Sequence, residues 1–202
     1  MLDLQILGLL DDGPLHGYEL RRRITALSGP GSHVSEGSLY PALARMERAG
    51  LLTRHDEPGA RGRARRVVRI TEAGRQRLHQ LLRGAQGADI ESMPRFMNVL
   101  AFLSHLPQAH EREAVLRRRL KVLLSPHPAF FYDDGAPRRG RDEPDPYRRG
   151  MTCVAAAARR AEIAWLRETL DHEPTPPQPP ALQGTPPDTP ARTDCSQPQE
   201  PL

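Results

Sequence analysis

Ten of the 21 prolines in this 202-residue chain lie between Pro174 and Pro201. A stretch so poor in backbone donors and apolar side chains has little to hydrogen-bond and little to bury. Packed structure is therefore expected only from residues 1–171, with 172–202 as a disordered tail. The remaining prolines punctuate the rest. Residues 125–146, "SPHPAFFYDDGAPRRGRDEPDP", read as a Pro- and Gly-rich connector whose acids, Asp133, Asp134 and those of 142–145, are expected to be solvated. Residues 90–124 before it and 147–171 after it follow a helical rhythm.

The first part of the chain divides into short pieces. Leu2 to Leu10 is too apolar to stand exposed and predicts a buried helix, broken by "DDGP". "LHGYELRRRITALSG" places Leu20, Ile24 and Leu27 on one helical face and ends at Gly29, Pro30 and Gly31. "HVSEGSLYPALARMERAGLLTR" follows, with Leu39, Leu43 and Met46 as the buried stripe, Ser35 as N-cap and Gly50 as the stop. At 100° per residue the opposite side holds Gly37, Pro41, Ala44, Arg45 and Arg48, flanked by Ser38 and Tyr40. Such a front end is small, polar and approachable, which suits a helix whose first turn enters a DNA groove. Pro41 would remove a helical hydrogen bond, so a helix starting near Tyr40 is equally allowed.

Charge is distributed unevenly. Residues 1–87 hold fourteen arginines against nine acids, whereas residues 172–202 hold one arginine against four. A basic end opposed to an acidic, Pro-rich tail is a footprint of nucleic-acid binding, although a solvated surface would look the same. Residues 51–78, "LLTRHDEPGARGRARRVVRITEAGRQRL", predict strands at Leu52–His55 and Val67–Thr71, joined by an arginine-rich loop. A helix capped by Thr71 follows and carries Leu78, Leu81 and Leu82. A hairpin tip bearing Arg61, Arg63 and Arg65 has the shape to lie along a DNA backbone or enter a minor groove. The fold class expected is mostly α with a small β-hairpin: a winged helix-turn-helix in 1–87, a helical dimerisation region in 88–171 interrupted by the 125–146 connector, and the tail.

Three stretches, in this order, resemble the PadR family of transcriptional regulators: "LGLLDDGPLHGYELRRRI", "GSLYPALARMERAGLL" and "GRARRVVRITEAGRQRL". The likeness covers residues 4–82. The later "FMNVLAFLSHL" and "RRGMTCVAAAARRAEIAWLRETL" resemble more loosely the longer subfamily with extra C-terminal helices. The resemblance implies a homodimeric repressor of a palindromic operator in double-stranded DNA. By position it places Ser38, Tyr40 and Arg45, with the Tyr-Pro pair completed by Pro41, on the recognition helix, and Arg61, Arg63 and Arg65 in the wing.

No chemistry of another kind is expected. Cys-x-x-Cys, HExxH and phosphate-binding glycine loops are absent, and His105 and His110 are not at metal-ligand spacing. The chain reads as a non-enzyme without cofactor or metal. "MLDLQILGLL" lacks a basic leader, and no apolar run reaches the ~20 residues of a membrane span, so a cytoplasmic protein is expected. Cys153 and Cys195 do not form a disulfide framework. Met151, Val154, Ala158, Ala161 and Trp165 recur at spacings of 3, 4, 3 and 4, the pattern of a helix–helix seam, for which a second copy or the chain's own domain are the two candidates. Arg159, Arg160, Glu162 and Glu168 are expected beside that seam, available to solvent or to partner charges. For Trp165 the family resemblance adds a second use, contact with a flat hydrophobic effector. The rival reading of the whole chain is an Arg-rich adaptor for RNA or protein, which would show no preferred DNA half-site.

Overall fold

In the computed structural model, residues 1–29, 34–57, 65–126, 132–133, 136–137 and 140–171 are described. Helix α1 (Leu2–Asp11) is apolar nearly all round, and Leu4, Ile6, Leu7 and Leu10 are all buried. A helix of that kind has to be central. It is covered by α2 (Gly17–Ser28), α3 (Glu36–Arg48) and α4 (Glu72–Arg83), and by a strand of the sheet described next. Leu20 and Ile24 of α2, Leu39, Leu43 and Met46 of α3, and Leu78 and Leu82 of α4 complete this core, as their spacing predicted.

The sheet has one strand more than the hairpin expected. β2 (Leu52–Glu57) and β3 (Arg65–Ile70) pair antiparallel from Leu52↔Ile70 to Glu57↔Arg65, and both run further towards the wing loop than predicted. β1 (Leu15–His16) pairs with the other edge of β3 through Leu15↔Val68 and His16↔Val67, giving the order β1-β3-β2. Two residues carry no alternation signal, so the sequence reading merged them with the following helix. They nevertheless supply partners to an otherwise open strand edge. Thr71 falls outside β3. Its hydroxyl accepts from the Gly74 amide at 3.1 Å and donates to the Gly50 carbonyl at 2.7 Å, so it caps α4 and ties that helix to the end of α3. Gly74 is required by contact: a Cβ there would stand 2.2 Å from the Leu51 carbonyl oxygen.

The region 90–124 is not one helix but several. α5 (Ala88–Glu91), α6 (Met93–Ala101), a 3-10 turn at Leu103–His105 and α7 (Ala109–Leu124) follow one another, with Pro94 in the first turn of α6 and Pro107 in the break before α7. Apolar packing runs without interruption from α1–α4 into Phe96, Val99, Phe102, Val115 and Leu116. Two contacts make this junction specific. Gln5 Nε2 donates to Asn98 Oδ1 at 2.7 Å in the buried α1–α6 interface, and Asn98 Nδ2 donates to the Pro94 carbonyl. Phe102 lies flat on Gly8, where any Cβ would be 2.3 Å from its ring. The resulting joint admits no larger side chain at position 8.

The connector holds a two-stranded ladder, β4 (Tyr132–Asp133) with β5 (Ala136–Pro137), and a 3-10 turn at Gly140–Asp142. Its acids are not all solvated, contrary to expectation. Glu143 is buried, and Asp145 accepts from the Tyr147 amide at 2.8 Å and the Arg148 amide at 3.0 Å. Asp145 thereby caps α8 (Pro146–Asp171), with Pro146 at the first helical position where a missing N–H costs nothing. The Arg148 amide bond above all, with the Tyr147 amide and nearby arginines, holds the Asp145 carboxyl below its ordinary range.

α8 packs on α7 along one face. Arg119 of α7 and Glu162 of α8 form a bidentate pair at 2.7 and 2.9 Å, with side chains 3% and 6% exposed. The same guanidinium donates to the carbonyls of Ile90 and Glu91 and stands 5.0 Å from the centre of the Phe96 ring. Leu166 is fully buried beside it. Arg159 donates to the carbonyls of Leu123 and Ser125 at the end of α7, where a cation offsets the helix dipole. Glu162 and Arg159 are therefore intramolecular partners rather than the solvent-facing charges expected, because the stripe one step round from the predicted seam is the one that meets α7. Glu162→Ala would strand a buried guanidinium and should cost about 3–5 kcal/mol in urea unfolding, whereas the paired change Arg119→Met with Glu162→Leu should cost far less.

Candidate nucleic-acid interface

Helix α3 carries the exposed groups that the sequence singled out. Ser35 Oγ accepts from the Ser38 amide at 3.2 Å, and Ser38 Oγ donates to the Ser35 carbonyl at 2.9 Å, so the helix begins at Glu36 rather than near Tyr40. Pro41 is the sixth helical residue and leaves the Gly37 carbonyl without its helical donor. Both residues are exposed, so water can serve that carbonyl. The far end closes on Gly50 at φ 71°, with the Gly50 amide bonded to the Glu47 carbonyl and the Leu51 amide to that of Met46. That is the paired-bond glycine stop.

Leu39, Ala42, Leu43 and Met46 face the core, while Ser35, Ser38, Tyr40, Pro41, Arg45 and Arg48 are exposed. Tyr40 is 46% exposed, and its ring covers Gly17: a Cβ on Gly17 would meet Tyr40 Cε1 at 3.4 Å and its hydroxyl at 3.6 Å. The "HGY" and "LYP" stretches thus meet in space. The arginines are held by acids on neighbouring elements. Arg45 pairs with Asp3 of α1, Arg21 with Glu36 at 3.0 Å, and Arg54 with Glu47 at 3.2 Å. Arg48 Nε bonds the Ala44 carbonyl. No sequence signal announced the Asp3–Arg45 pair, whose members lie 42 positions apart.

Of the wing arginines, Arg61 and Arg63 lie outside the described residues. Arg65 opens β3 opposite Glu57, and its side chain is outside them too. Arg66 and Arg69 on β3 are exposed and were not singled out beforehand. Among the described residues, no group of three His, Cys, Asp or Glu side chains is placed to hold a metal ion. No described helix is long and apolar enough to cross a membrane. His105 sits with Nδ1 3.0 Å from Asp11 and Nε2 3.4 Å from Asp12, at the joint between α1 and the 3-10 turn.

Three packed helices, the third followed by a hairpin whose inner strand is completed by a short strand before the second helix, form a winged helix-turn-helix. Residues 6–80 match the model of the transcriptional regulator PadR-like family. Over 75 residues the chain is 45% identical to the transcriptional regulator Rv3488 of Mycobacterium tuberculosis, an alignment covering 37% of this chain and 66% of that one. It is 32% identical to a transcriptional regulator of Clostridium thermocellum of known structure, with 39% and 75% of the two chains covered and a TM-score of 0.36. Bacillus subtilis PadR, solved in complex with operator DNA, is 22% identical, with 84% and 96% covered and a TM-score of 0.41. Residues 6–80 thus form a unit of the PadR-like family of transcriptional regulators. The chain spans 66% of the length of the mycobacterial relative.

The two faces of α3 separate in their effect on stability. Leu43→Ala should lower unfolding stability by about 2–5 kcal/mol, as a fully buried leucine does. Arg45→Ala removes an exposed ion pair and should cost at most about 1 kcal/mol. Thermal melts of the two variants check both values.

Proposed function

We propose that this regulator binds double-stranded DNA sequence-specifically, as a homodimeric repressor on a palindromic operator. One observation carries the reading. The exposed first two turns of α3, with Ser35 as cap and Ser38, Tyr40 and Pro41, stand beside a β-hairpin whose inner strand exposes Arg66 and Arg69, with Arg61, Arg63 and Arg65 just before them in the sequence. Small and polar groups at a helix start can approach base edges, and arginines alongside supply phosphate contacts. In this reading Arg45 and Arg48 reach phosphate after Arg45 exchanges its Asp3 partner for DNA. Residues 1–87 act as the reading unit and 88–171 as the dimerisation region.

The dimer is supported by what α8 leaves uncovered. With Glu162 and Leu166 turned to α7, Met151 is 45%, Val154 71% and Trp165 41% exposed, and Ala158 and Ala161 are exposed between them. A contiguous apolar stripe of this kind on a helix calls for a cover, and alanines let a second helix come close. A two-fold pair of α8 helices would present two α3 helices with half-sites about one turn of DNA, ~10 bp, or a multiple of it apart. The same seam is where a small hydrophobic effector would meet Trp165 and release the operator.

Two measurements test the reading. Titration of the protein's own upstream DNA across a salt series should give a steep log–log dependence, close to one unit per phosphate contacted. An absence of duplex binding at low salt, or equal affinity for every duplex and for RNA, would leave the adaptor as the better description. Ala158→Glu should convert dimers to monomers in light scattering and reduce affinity for a full operator to that for a half-site. A variant that remains dimeric would move the seam elsewhere.

A further inference from the structure

A cleft of about 440 Å³ opens between α2, α3 and the sheet, lined by Tyr18, Tyr40, Arg54 and Arg66 together with His16 and Val68. None of Tyr18, Arg54, Arg66 or His16 belongs to the recognition turn or the wing tip. The cleft nevertheless lies between the start of α3 and the described strands of the hairpin. Its walls are Tyr40, near the start of α3, and Arg66, one residue inside the start of β3. Its floor is the start of α2, where His16 as N-cap contributes no side-chain bond.

We propose that this cleft is a backbone-phosphate site for the DNA strand that runs between the two grooves. The inference rests on the DNA-binding reading and extends it. Neighbouring major and minor grooves are separated by a single sugar–phosphate strand. A protein that puts a helix in one groove and a hairpin in the next must pass that strand through the gap between them. Here the gap is lined with the groups such a strand needs. Arg66 is exposed at its rim. The Arg54 side chain is only 16% exposed, with Nε 3.2 Å from Glu47 Oε2 at an angle that makes no hydrogen bond, and Nη2 is buried without one. Its guanidinium is thus fixed by packing and an ion pair, and it adds positive charge to the wall of the cleft. Tyr18, 63% exposed and stacked on His16 at 6.4 Å, offers a hydroxyl at the opposite lip. Leu43 and Val68 at the back give the sugar an apolar surface.

Phosphate contacts fix register without reading sequence. This site therefore sets the depth of α3 relative to the hairpin. The test uses the full chain and a duplex recovered by it from genomic fragments. In a salt titration Arg66→Gln should lower the log–log slope by about one unit and weaken recovered and random duplexes alike. Tyr18→Phe should weaken both in the same way. Replacing single phosphates of the duplex with neutral methylphosphonates should reveal a sensitive position between the contacted major and minor grooves. Arg66→Gln should lose nothing further at that position. Both variants replace exposed side chains, and circular dichroism melts confirm that they fold. Wild-type slopes in both variants, with no sensitive phosphate between the grooves, would overturn the site and leave DNA binding standing. Failure of the wild-type chain to recover any duplex would overturn both.

Discussion

The arrangement of the C-terminal half depends on one buried guanidinium. Arg119 gathers a carboxylate from α8, two carbonyls from α5 and an aromatic face from α6. A charge that deep in protein is tolerated only when every donor finds a partner. That requirement makes the contact directional. α8 cannot rotate on α7 without stranding Arg119, so the side of α8 that remains uncovered is decided inside the subunit. The apolar stripe of Met151, Val154 and Trp165 is outward because Glu162 is inward. From the other direction, Gln5–Asn98 and the seating of Phe102 on Gly8 fasten the same helical layer to α1, against which α3 packs. Position is thus handed from α8 to α3 through buried polar pairs and close contacts, not through a flexible linker.

The N-terminal unit was largely legible in the sequence because its signals are local. Apolar spacing located the cores of α1, α2 and α3. Ser35 and Thr71 marked helix starts through bonds to amides three residues on, and Gly50 marked a stop that its positive φ makes specific. The exposed and buried faces of α3 followed from periodicity alone. β1 was missed because two residues form no pattern, and its pairing with β3 is decided fifty positions away. The run 90–124 was read as a continuous helical rhythm because hydrophobic period does not show where a helix is cut. The breaks depend on Pro94, Pro107 and the need of Phe102 to turn back onto Gly8.

Where sequence reasoning failed, the missing information was the identity of distant partners. Arg45 appeared to be a free cation, yet Asp3 holds it. Glu162 appeared to be a surface acid, yet it is the partner of Arg119. Solvation is the ordinary outcome for a charged residue, so a pattern argument assigns it by default. Only tertiary placement shows which few charges are removed from water. No sequence signal showed which stripe of α8 would meet α7. The connector is a different case: exposed Asp145 starts a 26-residue helix through bonds to amides two and three residues on, a local signal hidden by the Pro-rich composition.

The contrast between buried and exposed charge has a consequence for how the protein answers ionic strength. Mobile ions screen groups that they can approach within a Debye length, ~8 Å at physiological salt, and have little influence on a pair sealed from solvent. The arginines of α3 and β3 lie in the first category and Arg119 in the second. Raising the salt concentration should therefore strip the surface of its long-range attraction while the internal scaffold keeps its geometry. In the DNA-binding reading proposed above, release by salt would then leave the internal scaffold as it is.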